Sequence, residues 1–401
     1  MIFKQTMVGW TVAGAMLVMS GGAAASGFAL IEQSASGLGN AYAGGAASAE
    51  DASTVFFNPA GMSRLSGKQL VVAVHDITPS AKFTGTGASG TDMGGDAGSS
   101  SFVPNAYFTM EMTPDLQAGL GVNAPFGLQT EYDAAWVGRY QAIKSKIETV
   151  NINPSVSYRV NDALSIGAGI DYQYISGELS SFDDVLGTTV VKGTDSAWGY
   201  NLGALYNVSS STRIGVAYRS AVSYTLKGDL TTALPAANTP VSLDLKLPDT
   251  LSLSLFNQSD EKWDFMADVS FTGWSSFRQV RVVNDSGATV TNTVENWKDT
   301  VRLSVGATHH YSEKWLSRVG LAYDQSPVPD AYRTARIPDN NRTWLALGGQ
   351  YKSSAASKID FGYAHLFVSD TGINESNPAP ALVGSYKNSV DILSAQYTYS
   401  F

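Results

Sequence analysis

Leu393-Ser394-Ala395-Gln396-Tyr397-Thr398-Tyr399-Ser400-Phe401 closes the chain in strict alternation. Successive side chains of an extended strand point to opposite sides, so Leu393, Ala395, Tyr397, Tyr399 and Phe401 share one face. Ser394, Gln396, Thr398 and Ser400 share the other. An apolar face ending in aromatics, backed by a small polar face, suits a strand with lipid on one side and a polar interior on the other.

Working back from this stretch, the same pattern recurs as far as Lys68, in about fourteen segments of ten to twenty residues. They are 68–84, 101–112, 115–128, 140–160, 163–182, 190–208, 211–228, 240–257, 261–283, 293–311, 315–324, 343–353, 358–370 and 386–401. Strands of soluble domains are shorter, whereas tilted strands that cross a bilayer and project beyond it need this length. Every second connection is tight and polar, as at Thr113-Pro114-Asp115, Val160-Asn161-Asp162 and Ser312-Glu313-Lys314. The connections between those are mostly long, as in 85–100, 325–342 and 370–385. Short turns on one side and long loops on the other predict an all-β, 14-stranded antiparallel transmembrane β-barrel over residues 68–401. The aromatic C-terminus, Phe401, is common in barrels of the bacterial outer membrane.

The stretch before the strands, SGFALIEQSASGLGNAYAGGAASAEDASTVFFNPAGMSRL (26–65), neither alternates nor reads as a plausible loop. It ends on a specific turn at Asn58-Pro59-Ala60. Residues 26–67 are therefore predicted to form a plug, or hatch, inside the lumen. Ahead of it, Lys4, an apolar run from Met7 to Met19, and Ala23 and Ala25 make residues 1–25 an export signal peptide. No uninterrupted apolar run reaches the length of a membrane helix.

The chain carries 26 basic and 35 acidic residues, for a formal charge of -9. Such acidity is a poor footprint for nucleic acid. The absence of cysteine excludes a disulfide scaffold, a thiolate metal site and a lipid anchor on an N-terminal cysteine. His75, His309, His310 and His365 are scattered over distant strands, and no metal or other cofactor is expected.

Several motifs in order resemble the outer-membrane long-chain fatty acid transporters (FadL-like), a family that includes importers of aromatic hydrocarbons. They are GFALIEQSASGLGNAYAG (27–44), Asn58-Pro59-Ala60, VNAPFGLQTEYDAAWVGRY (122–140) and NINPSVSYRVNDALSIGAGIDY (151–172). LKLPDTLSLSLF (245–256), FTGWSSF (271–277), DQSPVPDAYRTARIPDNNRTWLALGGQY (324–351) and FGYAH (361–365) continue the likeness. The resemblance implies passive uptake of hydrophobic molecules across the outer membrane of a Gram-negative bacterium, by a monomer with no enzymatic activity. Long-chain fatty acids are the first expectation for the ligand and neutral aromatic or aliphatic hydrocarbons the alternative; a detergent could occupy the same site. Membrane lipid and lipopolysaccharide are the surroundings expected.

Three features could carry such a role. Gly27 and the bulky Phe28 lie where the resemblance places a ligand pocket, so Phe28 reads either as a gate or as an anchor for the plug. In the third strand, Asn123-Ala124-Pro125-Phe126-Gly127 breaks the alternation, and proline cannot donate to a ladder. The resemblance turns this break into an inward kink with a side window; the plainer reading ends the strand at the rim. Leu230, Leu234 and Phe182 could line an exposed apolar groove that captures ligand. A fatty acid also needs a cation for its carboxylate. The family's arginine position falls near Ser176, where none exists, and its lysine falls at Lys298, with Arg302 on the same parity. A porin or adhesin would not need the plug, and an outer-membrane enzyme would need a catalytic constellation that the histidines do not form.

Overall fold

The computed structural model describes residues 26–88 and 91–401, so the expected signal peptide lies outside the described residues. Among these, fourteen staves form a closed antiparallel barrel. They are β1 (Lys68–Thr86), β2 (Ser101–Thr113), β3 (Leu116–Asn123) with β4 (Gly127–Glu131), β5 (Lys144–Arg159), β6 (Leu164–Asp183) and β7 (Gly187–Asn207). Next come β8 (Thr212–Arg219) with β9 (Val222–Thr231), β10 (Thr239–Leu247) with β11 (Thr250–Gln258), β12 (Trp263–Thr272) with β13 (Gln279–Asn284), and β14 (Thr289–Val294) with β15 (Thr300–His310). The last are β16 (Trp315–Asp324), β17 (Arg342–Lys352), β18 (Ser357–Val368) and β20 (Leu382–Ser400), with the short β19 (Thr371–Glu375) laid along the upper half of β20. Pairing of β1 with β20 closes the cylinder.

Burial is inverted relative to a soluble protein, as a lipid surround requires. Leu303, Val305, Leu321 and Leu347 are exposed, and Asn153, Asp171, Asp360 and Arg318 are buried inside. The last strand behaves as its alternation predicts: Leu393 is 59% exposed, while Gln396 and Thr398 are buried.

The plug fills the lumen with three short helices, α1 (Ala35–Leu38), α2 (Gly45–Ser48) and α3 (Thr54–Phe57), and a 3₁₀ turn at Pro59–Arg64. So many abrupt turns leave backbone carbonyls without helical partners. Wall arginines satisfy them: Arg302 Nη2 donates to Ala41 O (2.8 Å), Arg213 Nη2 to Ser48 O (2.9 Å), Arg219 Nη2 to Phe56 O (3.0 Å) and Arg159 Nη2 to Ser63 O (2.5 Å). Asn58-Pro59-Ala60 fits closely against the wall. Asn58 Oδ1 caps the 3₁₀ turn by accepting from Ala60 N (3.0 Å), and Nδ2 donates to Ala46 O (2.7 Å) and to the wall at Ala204 O (3.0 Å). The wall opposite is glycine by necessity, since a Cβ on Gly203 would lie 1.9 Å from Asn58 Oδ1.

The third stave breaks at Pro125, where the sequence predicted. Four neighbouring staves also break, at Ser220-Ala221, Pro248-Asp249, 273–278 and 295–299, although their segments read as continuous strands. Pro248 and Gly273 were the available signals. These breaks turn Trp274, Phe277 and Trp297 inward, where they are buried.

Candidate functional site

The plug begins against the broken third stave. Ala29 forms an antiparallel bridge with Phe126; Gly127 N donates to Phe28 O (2.9 Å) and Leu30 N to Pro125 O (2.8 Å). The other edge of the break is tied to β5, where Phe126 N donates to Thr149 Oγ1 (3.0 Å), which donates to Phe126 O (2.7 Å). Gln33 Nε2 holds Ala124 O (3.0 Å). Proline removes one ladder donor, and the plug and a threonine take over the partners the strand has lost.

The break opens the wall. The ladder between β2 and β3 runs from Thr113 opposite Leu116 to Ala106 opposite Val122, and β4 then pairs with β5 alone. Residues 101–105 of β2 pair only with β1. Behind the gap stands the plug, with Asn105 Nδ2 donating to Glu32 O (2.9 Å).

Phe28 is wholly buried in an aromatic cage. Its ring centroid lies 4.8 Å from Trp274, 5.5 Å from Phe277, 5.6 Å from Trp297 and 6.1 Å from Phe126, in edge-to-face or tilted geometries favoured by ring quadrupoles. Gly27 permits this insertion: its φ is +62°, and a Cβ would meet Trp297 at 2.7 Å.

The cage lies between two cavities. The lower, of about 140 Å³, is lined by Leu30, Phe56, Phe57, Pro125, Phe126 and Trp274, with Arg219, Arg302 and Asp324 at its polar side. The upper, of about 60 Å³, is lined by Leu128, Ile147, Ile175, Leu226, Leu245 and Phe277, with Glu295 and Arg336 among its polar groups. Trp274 faces the lower space and Phe277 the upper, and Phe28 touches both.

Several polar groups here escaped the sequence reading, because each comes from a stave break or long loop. Burial pushes the Glu295 carboxyl up to about 8, with Trp297 Nε1 donating to it (3.0 Å). Burial likewise raises Glu375 to about 7; its Oε2 accepts from Ala335 N (2.8 Å). Arg336 Nη1 donates to Ser145 Oγ (3.1 Å) and Lys144 O (3.2 Å).

The other candidates are dispersed. Lys298 is exposed, whereas Arg302 is buried in the lower cavity, so the two do not share a site. Leu230 is buried on the inner face with Val241 and Val282; Leu234 is exposed; Phe182 packs on Tyr140. The expected exposed groove is thus divided, because β6 and β7 extend as paired strands up to Asp183 and Gly187. Ser176 sits on the face opposite the buried Ile175. His75 meets Ser394, His310 meets Asp264 and His365 meets Asp391, each at a different place.

A plugged cylinder with an apolar outer band and polar interior defines an outer-membrane β-barrel. The family model for outer membrane protein transport proteins (OMPP1/FadL/TodX) matches residues 16–401, and the chain belongs to that family. It is 30% identical over 410 residues to the long-chain fatty acid transport protein of Escherichia coli K12, covering 90% of this chain and 92% of that one. Outer membrane protein P1 of Haemophilus influenzae is 32% identical over 418 residues, covering 91% and 90%. Among solved structures, a Pseudomonas aeruginosa FadL homologue superposes with a TM-score of 0.87 at 26% identity, over 93% of this chain and 99% of that one. The Ralstonia pickettii toluene transporter TbuX shares the fold, with a TM-score of 0.70 at 19% identity, over 91% and 99%. The chain is an outer-membrane protein of the Gram-negative type.

Proposed function

We propose that the chain is a passive channel for hydrophobic molecules, chiefly long-chain fatty acids, which pass from the upper to the lower cavity and leave sideways between β2 and β4. One observation carries this reading: the same five residues at the start of the plug, 26–30, both set Phe28 into the aromatic cage and hydrogen-bond the wall break. An acyl chain that displaces the Phe28 ring also pulls on the Ala29–Phe126 bridge, so occupancy and opening are mechanically one event. The driving force is burial of the chain, about 0.8 kcal/mol per methylene. Arg302 lines the lower cavity and would hold the carboxylate; its Nε has no protein partner among the described residues.

Neutral hydrocarbons remain the second reading, favoured by Asp324 beside Arg302 and by Glu295 in the upper cavity, since both acids oppose a carboxylate. Uptake of labelled oleate and toluene into cells lacking other such channels tests both. If neither enters faster than through the empty membrane, transport is wrong. Under the first reading, Arg302→Met lowers oleate uptake relative to toluene; an unchanged ratio supports the second.

A further inference from the structure

The wall has another discontinuity, between β10 and β13. Their ladder ends with Leu243 opposite Val282, and pairing resumes only at Thr250 opposite Thr272 in β11 and β12. Between those points, Gly273 N donates to Asp249 O (3.0 Å), but residues 244–248 pair with nothing in 274–281. The two sides differ in length, so the second bows away from the first. On its other edge β10 stays zipped to β9, down to Leu247 opposite Val222, so the parting is local to this seam.

The gap lies just beyond the lipid-facing row Leu251, Leu253 and Phe271, where exposed Asp244, Lys246 and Arg278 begin. That change from apolar to charged marks the outer boundary of the bilayer. An outward cleft occupies it, with Thr225, Lys246, Ser276 and Gln279 at its rim and Leu245 and Phe277 among its lining. Leu245 and Phe277 also line the upper cavity. A single layer of two buried side chains therefore separates the outer surface from the apolar interior, and one of them, Phe277, touches Phe28.

We propose that this gap is a side entrance, through which an acyl or aryl chain already dissolved in the outer leaflet passes between Leu245 and Phe277 into the upper cavity. The proposal rests on the transport reading above and adds the point of admission. A route through the membrane boundary spares the hydrophobic molecule a passage through water, where its apolar surface is unfavourable. Lys246 and Arg278 outnumber Asp244 at the mouth, a net positive charge that suits the head of an anionic amphipath.

The absence of cysteine makes the test clean. Lys246→Cys and, separately, Gln279→Cys place a thiol at the mouth; Asp285→Cys places one on the exposed β13–β14 turn as a control. Each is coupled to a bulky polyethylene glycol maleimide on intact cells, and initial uptake of labelled oleate is measured before and after. Coupling at either mouth position is expected to bring uptake down to that of the empty membrane, while coupling at 285 leaves it unchanged. Full coupling at both mouth positions with uptake unaltered overturns the side entrance while leaving transport standing. Wild-type uptake no faster than the empty membrane overturns transport, and the entrance with it. Carrying two mouth variants guards against one that fails to assemble.

Discussion

At Gly27 and Phe28 two adjacent residues have opposite requirements. Gly27 must have no side chain, and Phe28 must have a large one. Gly27→Ala places a Cβ against Trp297 in a left-handed backbone, at a cost of about 1–3 kcal/mol. The expected outcome is a loosened plug start with an intact barrel, read as faster hydrogen exchange at residues 27–30 without loss of heat resistance on gels. Phe28→Ala empties the cage, a loss of roughly 3–5 kcal/mol for a buried phenylalanine, and joins the two cavities. Oleate should then leak through without saturation; a saturable rate like wild type would make Phe28 an anchor rather than a gate. Glu295 and Glu375 supply a pH dependence. Their carboxyls are raised to about 8 and about 7 from 4.5, so the folded loops favour the protonated forms. The associated stability is complete below pH 4.5 and is lost as pH rises through 7 to 8. Exchange in residues 325–341, corrected for its intrinsic pH dependence, should increase between pH 6 and 9, and Glu295→Gln should flatten that rise.

Among the elements, the broken staves separate what the sequence discloses from what it conceals. Pro125 could be read as a break because proline removes a ladder donor whatever surrounds it. The breaks near Ser220 and Asn296 left no such mark: the second brings Trp297 onto the Phe28 ring beside aromatics from two other staves, a tertiary fact with no local signature. Arg302, on the regular backbone of β15, keeps a legible parity, although Lys298 before the strand does not share it; Arg336 and Glu295, on irregular backbone, have no such periodic signal. The divided loop groove failed differently, since strands prolonged past the membrane took Leu230 to the inner face. If the gap beside Pro125 is the exit, Pro125→Val restores an N–H and a β-branched residue, and should lower oleate uptake in a barrel that still assembles. Uptake equal to wild type would remove the exit from the mechanism.

For the whole molecule, plug and wall are bound by charge as well as by shape. Arg318 on β16, with both nitrogens inside, meets Asp360 of β18 at 2.7 Å and Glu50 of the plug at 2.9 Å. Removing one partner from a buried pair costs about 3–5 kcal/mol. Arg318→Met should therefore free the plug before the barrel melts, giving intermittent ion conductance in planar bilayers where the parent chain stays nearly silent. Steady conductance by the parent would instead indicate a general porin.

The pairing of β1 with β20 runs from Gln69 opposite Ser400 to Thr86 opposite Val383. These partners are the most distant in the chain, so the entropy of bringing them together makes theirs the natural last junction to form. The cork is threaded directly onto the first of them and is held by arginines on strands made later. A nascent molecule must thus cradle its stopper in an unfinished trough, and the final weld imprisons it there.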